Sequence, residues 1–258
     1  MMRRTSTILL GLVLMASTGL GQGSPTMTVI QGGAFVPLYG SDSAEVAVAE
    51  FELDIYPVTN AEFLAFLSEN PKWQRSQALR LFADGNYLAQ WAGDAELGTG
   101  MDPAAPITSI SWFAAKAYCA CEDKRLPTMD EWEYVAMASP TAANAQADSV
   151  FNQWIIEGYE TPNTARKKVG GNFANFWGIH DMHGLVWEWT SDFNSVLISG
   201  ESRKDNDLDT SLFCAAGAVG ASDLMNYAAF MRYAFRGSIK ANFSVRTLGF
   251  RCARNVEK

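Results

Sequence analysis

The sequence predicts one mixed helix-and-strand domain with a large share of irregular chain, and three observations lead there. Short apolar runs separated by turn residues open the chain. Two capping-box pairs head short helical patterns in its middle. No internal repeat, and no Pro-, Gly- or Ser-rich linker, divides the rest. With 258 residues, 48% hydrophobic and 12% aromatic, the chain carries enough apolar side chain for a sizeable core, which excludes a disordered or low-complexity chain. Twenty-eight acidic residues against 20 basic ones leave a formal charge of −8, which argues against nucleic acid or anionic lipid as a main partner.

The N-terminus reads as a sorting signal. Arg3 and Arg4 precede an apolar run from Ile8 to Ala16, and Gly19 and Gly21 follow ahead of a cut before Gln22. This order predicts a signal peptide over residues 1–21, because the run falls short of the roughly 20 apolar residues a spanning helix needs. An uncleaved anchor is the alternative, and the Arg pair leaves both the Sec and the twin-arginine route open. The mature domain, 22–258, then has no membrane span and is periplasmic or secreted, in a compartment where cysteines pair.

Within that domain, Met27–Ile30, Ala34–Pro37 and Val46–Leu53 read as strands, with Gly32-Gly33 as a turn between the first two. Thr59 and Glu62 form a capping-box pair that starts a helix near Asn60, to end before Pro71. A second helix is predicted from near Ser111 to Cys121, with Trp112, Ala115 and Cys119 on one stripe. Thr128 and Glu131 open a third, which buries Trp132, Val135 and Ala136. Residues 141–182 and 193–225 read as long loops, and strand-like runs return at Leu185–Thr190, Phe230–Phe235 and Gly249–Cys252.

Four groups of residues in order carry a resemblance. They are Gly32-Gly33-Ala34-Phe35, then Tyr56-Pro57-Val58-Thr59-Asn60, then Lys124-Arg125-Leu126-Pro127-Thr128-Met129-Asp130-Glu131-Trp132-Glu133-Tyr134, and last Asp181-Met182-His183-Gly184-Leu185-Val186-Trp187-Glu188-Trp189 with Leu248-Gly249-Phe250-Arg251-Cys252. From residue 26 to 254 the chain resembles the formylglycine-generating enzyme, or sulfatase-modifying factor, family. The resemblance implies a single α+β domain related to the C-type-lectin-like fold, with few regular elements. Relatives of that kind include formylglycine generators, sulfoxide-forming iron enzymes and a siderophore-maturing periplasmic protein, so the fold alone does not decide the function.

The family's generators resemble copper oxidases that hold Cu(I) between two cysteines near the C-terminus, a soft-ligand chemistry. The matching stretch here, Ala215-Ala216-Gly217-Ala218-Val219 followed by Gly220 to Arg236, has no cysteine; Asp223, Leu224, Met225, Ala228 and Ala229 stand in the region. The iron route needs several histidines, and the chain has only His180 and His183. Of the four cysteines, Cys119 and Cys252 match a family disulfide that closes a loop of about 130 residues. Cys121 and Cys214 then either form a second disulfide or act as a relocated thiolate pair for Cu(I) or redox exchange. The resemblance also implies a calcium site at Glu188, weakened because Leu185 replaces an Asn ligand, with Asp181 and Asp192 flanking it.

Two functions follow. One is an exported accessory or maturation factor that binds a protein or peptide in the former substrate cleft. The other is an oxidase or tailoring enzyme of the formylglycine-generating type with a rearranged site, using Asp223, Tyr227, Arg232 and Tyr233, with Arg236 binding substrate. For both arginines, salt bridges to the abundant acids are the competing reading. Formylglycine generation through Cys214 is the minority reading.

Overall fold

A computed structural model describes residues 26–38, 44–160, 167–194 and 224–256. The chain opens with four short strands, β1 Met27–Ile30, β2 Gly33–Phe35, β3 Val46–Val48 and β4 Phe51–Asp54. Helices α1 Asn60–Glu69, α2 Trp112–Cys121, α3 Met129–Ala136 and α4 Ser149–Glu160 follow. Then come β5 Trp187–Glu188, α5 Leu224–Ser238, β6 Leu248–Gly249 and β7 Ala253–Asn255.

The strands make three small sheets. β4 lies between β1 and β7, antiparallel to both, with Leu53 opposite Thr28 on one side and Ala253 on the other. β2 pairs antiparallel with β3, and β5 pairs parallel with β6 through Trp187 and Leu248. The run 46–53 is therefore two strands in different sheets, broken at Ala49-Glu50. Gly32 ahead of β2 has no room for a side chain, because a Cβ there would stand 2.8 Å from Glu50 N and Val48 O.

The three predicted helices, two read from their caps and one from its apolar stripe, are found where expected. Thr59 Oγ1 accepts from Glu62 N at 3.3 Å while Thr59 N donates to Glu62 Oε2 at 2.7 Å, and Thr128 and Glu131 reproduce the pair at 3.1 and 2.8 Å. Two expectations are corrected. Residues 141–182 are not all loop: Asp148 Oδ1 accepts from Val150 N and Phe151 N at 2.9 and 3.1 Å and starts α4. The 230–235 run is not a strand but lies in α5. Its buried positions, Ala228, Ala229, Arg232, Tyr233 and Arg236, recur at helical spacing, and the helix packs on α4.

The larger core lies between α1, α2 and the C-terminal strands, where the rings of Phe63, Tyr118 and Phe250 meet at 5.3–6.3 Å. The Cys119–Cys252 disulfide is buried in it, with Cα atoms 5.6 Å apart. A second core sets Ile30, Phe51 and Leu53 of the central sheet against Trp132 and Val135 of α3. A small third cluster, Phe151, Ile155 and Ala228, joins α4 to α5. Among the described residues, no helix is long and apolar enough to cross a membrane.

Candidate functional site

The site is built where α3, α4 and α5 converge. The cap of α3 sets its rotation so that Trp132 and Glu133 both point inward and are buried. Arg232 and Arg236 lie one turn apart on α5 and therefore reach the same carboxylate. Arg232 donates from Nε to both Glu133 oxygens at 2.9 and 3.0 Å and from Nη2 to Oε2 at 2.6 Å; Arg236 Nη1 donates to Oε1 at 2.7 Å. Burial works against the ionised carboxylate, but the two guanidiniums outweigh it and hold Glu133 down at about 2.

The network continues from Arg232 Nη1, which donates to Tyr159 Oη at 3.2 Å. Tyr159 Oη lies 3.2 Å from His183 Nδ1, and His183 Nε2 lies 2.8 Å from the carbonyl oxygen of Ala136. A carbonyl only accepts, so the proton sits on Nε2, and Nδ1 accepts from the tyrosine hydroxyl. Burial, reinforced by the Arg232 charge, holds His183 neutral with a pKa of about 3. Burial likewise pushes the Tyr159 hydroxyl up. The chain of donors thus runs one way, from Arg232 to the backbone of α3.

Trp132 joins this cluster to a second one. Its Nε1 donates to Glu188 Oε2 at 2.7 Å, while the Arg236 guanidinium lies 4.7 Å from its ring centre. Glu188 is clamped from the other side by Arg251, through Nε at 3.0 and 2.8 Å and Nη2 at 2.9 Å. Arg251 spends its other donors on the carbonyls of Asp54, Ile55 and His180, and both side chains are wholly buried.

Beside the first cluster lies a cavity of about 30 Å³. Phe35 and Phe151 wall it with apolar surface, Glu133, Asn152 and Arg232 are among its polar members, and Ala228 of α5 opens onto it.

The expected site residues separate in this geometry. Tyr227 is on the exposed side of α5, and Tyr233 is buried and lines the cavity, its hydroxyl raised by burial. Arg232 and Arg236, expected to act on substrate, are instead bound to Glu133, the salt-bridge reading kept open for them. Asp223 and Cys214 lie outside the described residues, as does the leader 1–21. Cys121 is a free, exposed thiol 3.8 Å from Asn70 Oδ1, and its expected relation to Cys214, disulfide or thiolate pair, lies outside the described residues. His180 and His183 do not converge, since His180 Nδ1 is engaged by the Asn172 carbonyl at 2.9 Å and its ring packs on Tyr56.

Neither implied metal fits the described residues. At Glu188 the place expected for calcium is filled by the Arg251 guanidinium, which takes both carboxylate oxygens. For copper, α5 offers alanines at 228 and 229 and no cysteine. Among the described residues no three His, Cys, Asp or Glu side chains gather. Glu133 and Tyr159 are the site members that sequence reasoning missed. The signal for Glu133 was its place next to Trp132 in a capped helix, with two arginines four apart downstream.

Comparison with known proteins agrees with this architecture. The model of the sulfatase-modifying factor enzyme 1-like domain matches residues 17–256. The chain is 29% identical over 185 residues to the bovine protein named inactive C-alpha-formylglycine-generating enzyme 2, a match covering 57% of this chain and 61% of that protein. It is 28% identical over 252 residues to the formylglycine-generating enzyme of Streptomyces coelicolor, covering 82% of this chain and 80% of that one. Its fold is similar to PvdO from Pseudomonas aeruginosa, with a TM-score of 0.51 at 20% identity over 89% of this chain and 94% of the other. With a family model spanning nearly its whole length and a matching fold, the chain belongs to the sulfatase-modifying factor enzyme 1-like domain family.

Proposed function

We propose that this chain is an exported accessory or maturation factor that binds a protein or peptide over the α3–α4–α5 cavity and does not generate formylglycine by the copper route. The observation that carries this reading is Ala228. It stands in the region where the family's thiolates are expected and presents a methyl group to the cavity, and a methyl group cannot ligate Cu(I). Among the described residues the one carboxylate beside the cavity, Glu133, is held by Arg232 and Arg236 and so is not a free base. A relative named as inactive supports the same direction.

The test combines a thiol count in denaturant with copper analysis and oxygen uptake on a cysteine peptide, using protein recovered from the periplasm. The expected result is one disulfide, copper far below one per chain and no uptake. Stoichiometric copper together with oxygen-dependent loss of the peptide thiol overturns the proposal. Oxygen uptake without copper shifts the assignment to a tailoring enzyme. Export is checked separately by sequencing the N-terminus of the periplasmic protein, expected at Gln22.

A further inference from the structure

Among the described residues the charges around the cavity do not balance. Among the described residues, Glu133 is the one carboxylate within ion-pair distance of Arg232 and Arg236, so two cations share one anion, and none of the three side chains is more than 7% exposed. The other buried pair nearby, Glu188 with Arg251, is neutral in itself. The face of Trp132 at 4.7 Å eases the Arg236 charge but does not cancel it. A surplus buried cation is costly unless an anion meets it.

Of the three, Arg232 and Glu133 line the cavity and Arg236 does not, and Arg232 is the cation among them. Its terminal nitrogens each use one hydrogen internally, Nη1 on Tyr159 and Nη2 on Glu133, and each carries a second. The room beside it, about 30 Å³, exceeds the ~10–15 Å³ that a single water needs and admits a small group such as a carboxylate. The rest of the wall is largely apolar, with Phe35, Phe151, Ile155 and Ala228 on it and Gln146 and Asn152 as polar members.

We infer that the cavity binds a carboxylate carried on an apolar body, the carboxylate meeting Arg232 and the apolar part lying against Phe35, Phe151 and Ile155. This rests on the accessory-factor reading and names the chemistry of what that cleft takes. The carboxylate can belong to a free aliphatic acid or to the C-terminus of an apolar-ended peptide, and both present the same group to the guanidinium.

The experiment is calorimetric titration of the full chain with hexanoate, with its uncharged isostere hexanamide, and with a hexapeptide ending in Leu-Phe as free acid and as amide. The expected result is one saturable site for the acids and binding weaker by about tenfold or more for both amides. A peptide acid that binds tighter than hexanoate identifies the source as a chain terminus, and the reverse identifies a free acid. Arg236→Met removes the surplus charge while leaving Glu133 paired with Arg232, and is expected to weaken acid binding by about tenfold. Ala228→Leu fills the cavity without touching any charge and is expected to abolish binding, so the test does not hang on one variant. Equal binding of acids and amides, no saturable heat from either acid, or unchanged binding in both variants overturns the inference. Oxygen uptake on a cysteine peptide removes the accessory reading and leaves these titrations as they are; silent titrations without uptake remove only the carboxylate site.

Discussion

The indole N–H of Trp132 donates to Glu188 across 2.7 Å, and through this bond the Glu133–Arg232–Arg236 cluster is tied to the Glu188–Arg251 pair. Trp132→Phe keeps the ring face under Arg236 but deprives a wholly buried carboxylate of a donor. Leaving such a group short costs about 1–3 kcal/mol. Urea unfolding is expected to show that loss with an unchanged slope, and a larger one for Trp132→Leu, which also removes the ring.

Acid is expected to weaken the fold in two stages with the same sign. His183 is held neutral at about 3 in the folded chain against 6.5 when exposed, so its contribution is complete above pH 6.5 and is lost as pH falls towards 3. Glu133 is held at about 2 against 4.5, so its contribution is complete above pH 4.5 and is lost towards pH 2. Urea midpoints measured from pH 8 down to 4 should begin to fall near 6.5 and fall faster below 4.5. His183→Gln should remove the first stage and leave the second.

The Cys119–Cys252 link spans 133 residues, a separation for which the chain-entropy model gives about 4–5 kcal/mol. Replacing both cysteines with alanine should lower the unfolding temperature strongly, and adding reductant to the parent should approach the same value. Cys121→Ser, at an exposed thiol, should shift stability by no more than about 0.5 kcal/mol.

What could be read from the sequence was whatever is local. Thr59 with Glu62 and Thr128 with Glu131 announce helix starts within four residues, so α1 and α3 were found with their caps. Helix α4 was missed although Asp148 caps it and Phe151, Trp154, Ile155 and Tyr159 follow helical spacing, because Gly158 and the loop-like residues before it masked the period. The 230–235 run, aromatic and apolar around Arg232, looked like a strand. Only its contact with α4 shows why Ala228, Arg232 and Arg236 share a face. The site was least legible, since Glu133 meets Arg232 from 99 residues away and nothing in either neighbourhood names the other.

Gly249 is a further point of tight fit, because a Cβ there would lie 2.5 Å from the carbonyl oxygen of Ile107. Gly249→Ala forces β6 away from that backbone. It is expected to cost about 1–3 kcal/mol, read as a lower urea midpoint, with no change in the thiol count.

The position of β7 beside β4 bears on how the chain is made. β4 is complete by residue 54, yet its second neighbour is residues 253–255, and the Arg251 guanidinium and Cys252 thiol arrive just before it. Until the ribosome has released that stretch, the central sheet lacks a strand, Glu188 lacks its counter-charge and Cys119 lacks its bridge. Assembly is thus a late event governed by distant contacts, which makes it slow. A stop placed just ahead of residue 251 would forfeit all three ties together, so its product would be a substrate for proteolysis rather than a weakened protein.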